Sequence, residues 1–314
     1  MKILLSIIAI ALSLHCRATE PTAAAPASFE DYRHGFTHGV LALQIQLDRR
    51  NLSCNRIDGC WGGKTEIAYR TWQKISGREE TGIPDEDALT ALGGTNNLLR
   101  TVEITRADID SLTEIPADWN GKSQLRKMGY STVAEKLAEE GHCSERLLER
   151  LNPGCDWPNP AIGAKVLIPD CKPAKEPDHA GSIAISLSRM EITVFGIQGE
   201  FLALFPCSIA LKKSQRPSGE LEVTTTVPDP KYLYDPQLFY PGSDLRQKLF
   251  LPPGPNSPVG TVWIGLNRSG FGIHGTPAPE RIGEAASHGC FRLSNWNAEK
   301  LLKMVSSGTP VVIQ

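Results

Sequence analysis

Phe271-Gly272-Ile273-His274-Gly275-Thr276 and Ser287-His288-Gly289-Cys290-Phe291-Arg292-Leu293-Ser294 are the two stretches on which the reading of this chain turns. A cysteine attacks as thiolate, so it needs a lowered pKa or a nearby base, and histidine is the usual partner. Cys290 has His288 two positions upstream and His274 sixteen positions upstream (290 − 274). Gly289 lets the backbone approach a substrate closely, and the amides of Gly289 and Cys290 are candidate donors to an oxyanion. Other chemistry uses the same residue types. Cys290 could be half of a disulfide, a histidine beside glycine is often a satisfied core or turn residue, and His274, His288 and Cys290 could together ligate zinc. The paired C-x-x-C or H-E-x-x-H spacing of common zinc sites is missing, so no metal and no cofactor is expected.

Outward from these stretches, strand signals dominate. Ser182 to Leu187, Glu191 to Phe195, Phe201 to Ala210, Leu221 to Val227, Val262 to Leu266 and Val311 to Gln314 read as strands, and helical pattern returns only at Trp296 to Val305. Residues 181–314 are therefore predicted as a mainly-β unit. Pro228 to Pro258 is proline-rich and reads as a long loop, which inside a compact unit is usually functional. Residues 172–180 open with Lys172-Pro173-Ala174-Lys175-Glu176-Pro177, a linker by composition. Every catalytic candidate lies beyond it. That placement predicts a separable front half, dispensable for chemistry on small soluble substrates.

The front half has two textures. Residues 29–94 read as a small helical module, with Val40-Leu41-Leu43-Gln44-Leu47 and Glu66-Ile67-Ala68-Tyr69-Trp72-Gln73 at helical spacing. A glycine-bearing loop, Asn55 to Lys64, lies between them, and a short third helix ends at Gly93-Gly94. In residues 100–171 a strand near Thr101 to Thr105 precedes two helices, one in the stretch Tyr130 to Glu139, which opens with a Ser/Thr cap, and one over Ser144 to Leu151, and Val166 to Pro169 closes as a second strand. The chain is long for one domain at 314 residues, and its net charge of −2 gives no basic field for nucleic acid. Met1-Lys2 followed by the apolar run Ile3 to Leu14 reads as a signal sequence, residues 1–18, cut after Ala18 and followed by a linker over 19–28; the run is too short for a membrane span. Cleavage would leave seven cysteines, an odd number, in an oxidising compartment. Cys54 and Cys60 are spaced to staple one loop, one pair is expected among Cys143, Cys155 and Cys171, and Cys207 reads as a buried free thiol.

The run Leu251-Pro252-Pro253-Gly254-Pro255-Asn256-Ser257-Pro258-Val259-Gly260, then Ile273-His274-Gly275-Thr276, then Ser287 to Leu293, resembles the L,D-transpeptidase catalytic domain of YkuD type over residues 181–314. That resemblance implies a β-sandwich-like catalytic domain and a Cys290 thioester formed with a peptidoglycan tetrapeptide stem, with His274 as general base. It also implies that a backbone carbonyl near Gly275 orients the base, that His288 and Arg292 shape the pocket, and that Ser287 supports the turn. Release of D-alanine and transfer to an amine acceptor follow; transfer to water would make an L,D-carboxypeptidase. The non-catalytic alternative is a wall-binding protein with Cys290 in a disulfide. Leu43-Gln44, Ile57-Asp58-Gly59, Gly62, Trp72-Gln73 and Thr81-Gly82 resemble a three-helix peptidoglycan-binding module. Leu151-Asn152-Pro153 and Gly163 to Pro169 resemble a LysM module, a βααβ glycan-binding unit. The implied whole is multidomain, exported to the periplasm or cell wall. Its implied partners are stem peptides and glycan strands, with avidity from the front modules; no nucleic-acid partner is expected, and no membrane span after cleavage.

Overall fold

The computed structural model describes residues 28–173, 175–239, 247–287 and 289–314. The expected signal sequence, nearly all of the linker after it, and His288 lie outside the described residues.

The helix His38–Asp48 starts where the Thr37 side chain accepts the Val40 amide at 3.1 Å. Its sequence period suggests one apolar face, yet every residue from Gly39 to Asp48 is buried. Leu41 and Ile45 pack with Ile57, Leu137 and Val166, while Leu43 and Leu47 pack with Tyr69, Trp72, Leu92 and Leu204. One helix thus serves two cores. Of its two buried glutamines, Gln44 is fully used: Oε1 accepts the Asp58 and Gly59 amides, and Nε2 donates to Asp58, Cys60 and Thr65. Gln73, in the helix Gly63–Ile75, holds the next loop by bonding Thr81 and the Gly82 amide.

In the middle section the strand Leu99–Glu103 pairs antiparallel with Lys165–Pro169. The helices Val133–Glu140 and Glu145–Leu151 lie between them in the chain. The first strand ends at Glu103, short of the expected Thr105, because Thr105 is committed elsewhere: it caps the helix Arg106–Asp110 in a reciprocal capping box with Asp108. Asn152 ties the last helix to the closing strand, exchanging hydrogen bonds with the Leu167 backbone at 2.7 and 2.9 Å. The expected loop-stapling disulfide is not formed. Cys54, Cys60, Cys143 and Cys171 are free thiols; Cys54 is buried in the core around Tyr69, whereas the Cys60 Sγ turns to the Asp58 carbonyl.

The mainly-β expectation for the last section holds. Eight strands form one sheet, in the order Phe291–Arg292, Gly272–His274, Val262–Leu266, Gly219–Pro228, Pro310–Ile313, Ala180–Ser186, Glu191–Gly196 and Phe201–Pro206. An antiparallel bridge between Ser208 and Arg292 draws the two edges together. The wrapping around the core therefore comes from curl in a single sheet, not from two facing sheets. Ile183, Val194, Phe205, Val223, Ile264, Ile273 and Phe291 fill the inside with Leu301 and Met304 of the helix Asn295–Met304. Cys207 is buried and unpaired there, as expected.

Pro228 to Pro258 departs from its reading as a plain loop, since Tyr232–Tyr234 pairs antiparallel with Leu249–Leu251. This hairpin is held by the middle section. Trp119 stacks on Tyr234 with ring centroids 4.2 Å apart, Met128 N donates to Pro253 O at 2.8 Å, and Asn256 Nδ2 donates to Gly129 O at 2.8 Å.

The two sides of the Lys172 to Pro177 linker are also joined elsewhere. Leu204 exchanges backbone hydrogen bonds with Asn51 and Ser53 at 2.8 and 2.9 Å, and Asn297 Nδ2 donates to Ser53 Oγ at 2.9 Å. Asp48 is buried between His142 Nδ1 and Lys300 Nζ, each 2.8 Å from its carboxylate. Burial raises its pKa, but the Lys300 ammonium and the hydrogen bonds from Lys300 and His142 outweigh that and hold it below the usual carboxylate range. The Cys171 thiol completes a tight group with Asp48 and His142, in which Lys300 supplies the cation. Trp296 stacks on the His142 ring beside a cavity of 430 Å³ at this junction. Among the described residues no helix is long and apolar enough to cross a membrane.

Candidate active site

The strand Gly272–His274 lies between Val262–Leu266, antiparallel to it, and Phe291–Arg292, parallel to it. In that register Ile273 pairs with Phe291 and His274 with Arg292, so Cys290 lies alongside Gly272. Residues sixteen positions apart in sequence are thus brought to one strand pair, two register steps out of line with each other. Leu293 N donates to His274 O at 2.8 Å and extends the pairing.

His274 is 5% exposed. Its Nδ1 is 2.6 Å from the Gly275 carbonyl oxygen, a contact that assigns the proton to Nδ1 and leaves Nε2 as the basic nitrogen. Burial, with a smaller contribution from Arg292, lowers the imidazole pKa from 6.5 to about 4, while the Gly275 contact opposes that shift. His274 is therefore neutral at pH 7. Trp263, its cross-strand partner, stacks on the ring at 5.7 Å.

Cys290 is a free thiol of intermediate exposure, 3.5 Å from the Gly270 carbonyl. Burial raises its pKa; a backbone contact with Gly272 and the charge of Arg292 pull the other way. The site consequently holds an un-ionised thiol and a neutral imidazole, not a standing thiolate and imidazolium. Ser287, buried on the strand Ala285–Ser287, donates to Cys290 O at 2.6 Å and accepts the Gly289 amide at 3.3 Å. It braces the turn that carries the cysteine. A side chain at Gly289 would press on the Phe271 ring, at 3.1 Å, and the ring would have to give way. Arg292 is half-buried, pairs with no carboxylate among the described residues, and has a buried Nε without a partner. Its interactions with Cys290 and Tyr232 place the guanidinium near both.

Residues 180–313 match the sequence model of the L,D-transpeptidase catalytic domain of YkuD type. They are such a domain. The chain is 27% identical over 180 residues to the Bacillus licheniformis protein YkuD, covering 57% of this chain and 92% of that protein. It is 28% identical over 183 residues to ErfK/SrfK of Escherichia coli, covering 56% of this chain and 57% of that protein. Both relatives are named as L,D-transpeptidases. A solved L,D-transpeptidase catalytic domain from E. faecium, acylated by ertapenem, aligns with 44% of this chain and 98% of its own length, at 21% identity and a TM-score of 0.33. The enzyme class is that of a cysteine-dependent acyltransferase.

Three residues near the paired strands escaped the sequence reading. Trp263 and Tyr232 line a groove of 320 Å³ with Val227, Lys231 and Val259. Asn295, fully buried, accepts the Thr261 amide at 3.2 Å and donates to Pro255 O at 3.2 Å. Its position directly after the Ser287 to Ser294 stretch was the available signal.

Proposed function

We propose that the protein is an exported peptidoglycan L,D-transpeptidase with Cys290 as nucleophile and His274 as general base. The contact between His274 Nδ1 and Gly275 O carries this reading, because it fixes the tautomer that turns a basic Nε2 toward catalysis. Since thiol and imidazole are both neutral at rest, the thiol proton moves to Nε2 as sulfur attacks. The S–C bond forms at the carbonyl that precedes the terminal D-alanine of a tetrapeptide stem. The C–N bond breaks, and the D-alanine amine leaves with the proton from Nε2. An amine of a second stem then attacks the thioester; it loses a proton to Nε2, which returns it to the departing Cys290 sulfur.

The Gly289 amide is engaged by Ser287, so the Cys290 amide is the better placed of the two oxyanion donors. Arg292, unpaired and next to the thiol, is assigned to a stem carboxylate. The domain boundaries, 29–94, 100–171 and 181–314, and glycan binding by the two front sections belong to the same proposal. Purified protein incubated with defined tetrapeptide muropeptides should yield D-alanine and cross-linked dimers by mass spectrometry. Tripeptides without dimers would make it a carboxypeptidase, and unchanged muropeptides would refute the reading.

A further inference from the structure

Asn295 spans several backbone segments beneath the base. Its Oδ1 accepts the Thr261 amide and packs so closely on Gly260 and Gly275 that a Cβ at either would lie 2.0 or 2.2 Å from it. Its Nδ2 donates to Pro255 O at 3.2 Å and to Glu139 Oε2 at 3.1 Å. Glu139 belongs to the helix Val133–Glu140, across the linker from the catalytic domain. Gly275, pressed by Asn295, carries the carbonyl that receives His274 Nδ1.

We propose that Glu139 is a positioning residue for catalysis: in its neutral form it anchors Asn295, which props the Gly275 peptide and so holds the tautomer and aim of His274. This rests on His274 being the base. Two of the groups facing the carboxyl favour the neutral form: Glu299 on the helix Asn295–Met304, and Glu135 on the same helix as Glu139. The hydrogen bonds from Asn295 and from Tyr130, which reaches Oε1 at 3.3 Å, act the other way. Among the described residues no lysine or arginine pairs with Glu139. Burial and the two neighbouring carboxylates outweigh its hydrogen bonds and push its pKa up to about 8. Ionisation would put an uncompensated charge under the base loop and favour opening of the interface to water.

The full-length protein, with Glu139→Gln and Glu139→Ala variants, separates this role from general scaffolding. The readout is the second-order rate of Cys290 acylation by a carbapenem between pH 6 and 9.5, followed by intact mass. Wild type and Glu139→Gln share the same thiol and imidazole, so the ratio of their rates isolates the carboxyl. That ratio should stay level below pH 7 and fall severalfold as pH rises through about 8. Glu139→Ala, which leaves an Asn295 N–H unanswered, should be slower by about tenfold at every pH. Glu139→Gln also guards against misfolding, since it keeps both the volume and the hydrogen bond. A ratio that is level from pH 6 to 9.5 overturns the proposal even where wild type is acylated. Absence of acylation in wild type at every pH overturns the underlying assignment of Cys290, and the proposal with it.

Discussion

Cys290 and His274 come to one end of the sheet because a parallel strand pair sets residue 291 against residue 273. Cys290→Ala and Cys290→Ser should therefore stay folded yet lose D-alanine release and dimer formation, measured by mass spectrometry on muropeptides. His274→Ala should lose on the order of a hundredfold or more. Near-native turnover in Cys290→Ala would end the thioester mechanism. The pH dependence has a definite sign. An imidazole whose pKa falls from 6.5 to about 4 on folding stays deprotonated in the native state while the unfolded chain takes up a proton. Stability is thus lost as pH falls from about 6.5 toward 4, and His274→Gln should flatten that slope in a series of thermal melts. Acylation, which needs neutral Nε2, should be level from about pH 5 to 7.5 by the same lowered pKa. An acid limb near 6.5 would mean that the imidazole is solvated and the buried geometry wrong.

At the scale of elements, the hairpin and the cysteines give the sharpest contrast between sequence and structure. Of the strands around His274 and Cys290, Val262 to Leu266 was legible from its apolar run, whereas Gly272–His274 and Phe291–Arg292 were legible only as motif, because strands of three and two residues are too short to show a period. The hairpin Tyr232–Tyr234 with Leu249–Leu251 was not legible. Its prolines read as loop, and its support comes from Trp119 and Met128, more than a hundred residues upstream. Asn295 and Glu139 escaped for the same reason: an isolated Asn or Glu carries no period, and only tertiary packing shows what it bonds. Trp119→Ala removes the stack on Tyr234, worth about 0.5–1.5 kcal/mol. It should raise protease cutting of the hairpin relative to wild type; identical cleavage would show that the hairpin stands without the strap. Thiol accessibility follows from burial in the same way. A bulky maleimide should modify Cys290 in the native, unreduced protein, whereas Cys54, Cys143, Cys171 and Cys207 should react only after unfolding. Modification of Cys54 without unfolding would contradict its place in the core around Tyr69.

The whole molecule poses the question of whether its front half targets or supports. Composition at Lys172 to Pro177 suggests separable halves, but a linker sequence reports only that the connection is polar and extended. It says nothing of what docks across it. The contacts across it are of the supporting kind: Leu204 of the catalytic sheet completes the core around Leu43, Leu47 and Leu52, and Asp48 neutralises Lys300 on the helix that begins with Asn295. Removing residues 29–171 would expose Leu204 and leave Lys300 without its carboxylate. Each apolar side chain uncovered costs roughly 1.5–3 kcal/mol, so a loss of several kcal/mol is expected for Leu204 and its neighbours. A truncated chain beginning at Pro177 should accordingly melt well below the full-length protein and acylate slowly with a carbapenem, even though that substrate is small and soluble. Avidity alone cannot produce this result, because a module that only raises concentration on an insoluble wall leaves the rate on small substrates unchanged. Equal melting temperature and equal acylation would establish the front half as a tether. If both fall together, while residues 29–171 still sediment with sacculi, the same surface that holds the catalytic base in place also belongs to a wall-binding unit, and binding and chemistry share one scaffold.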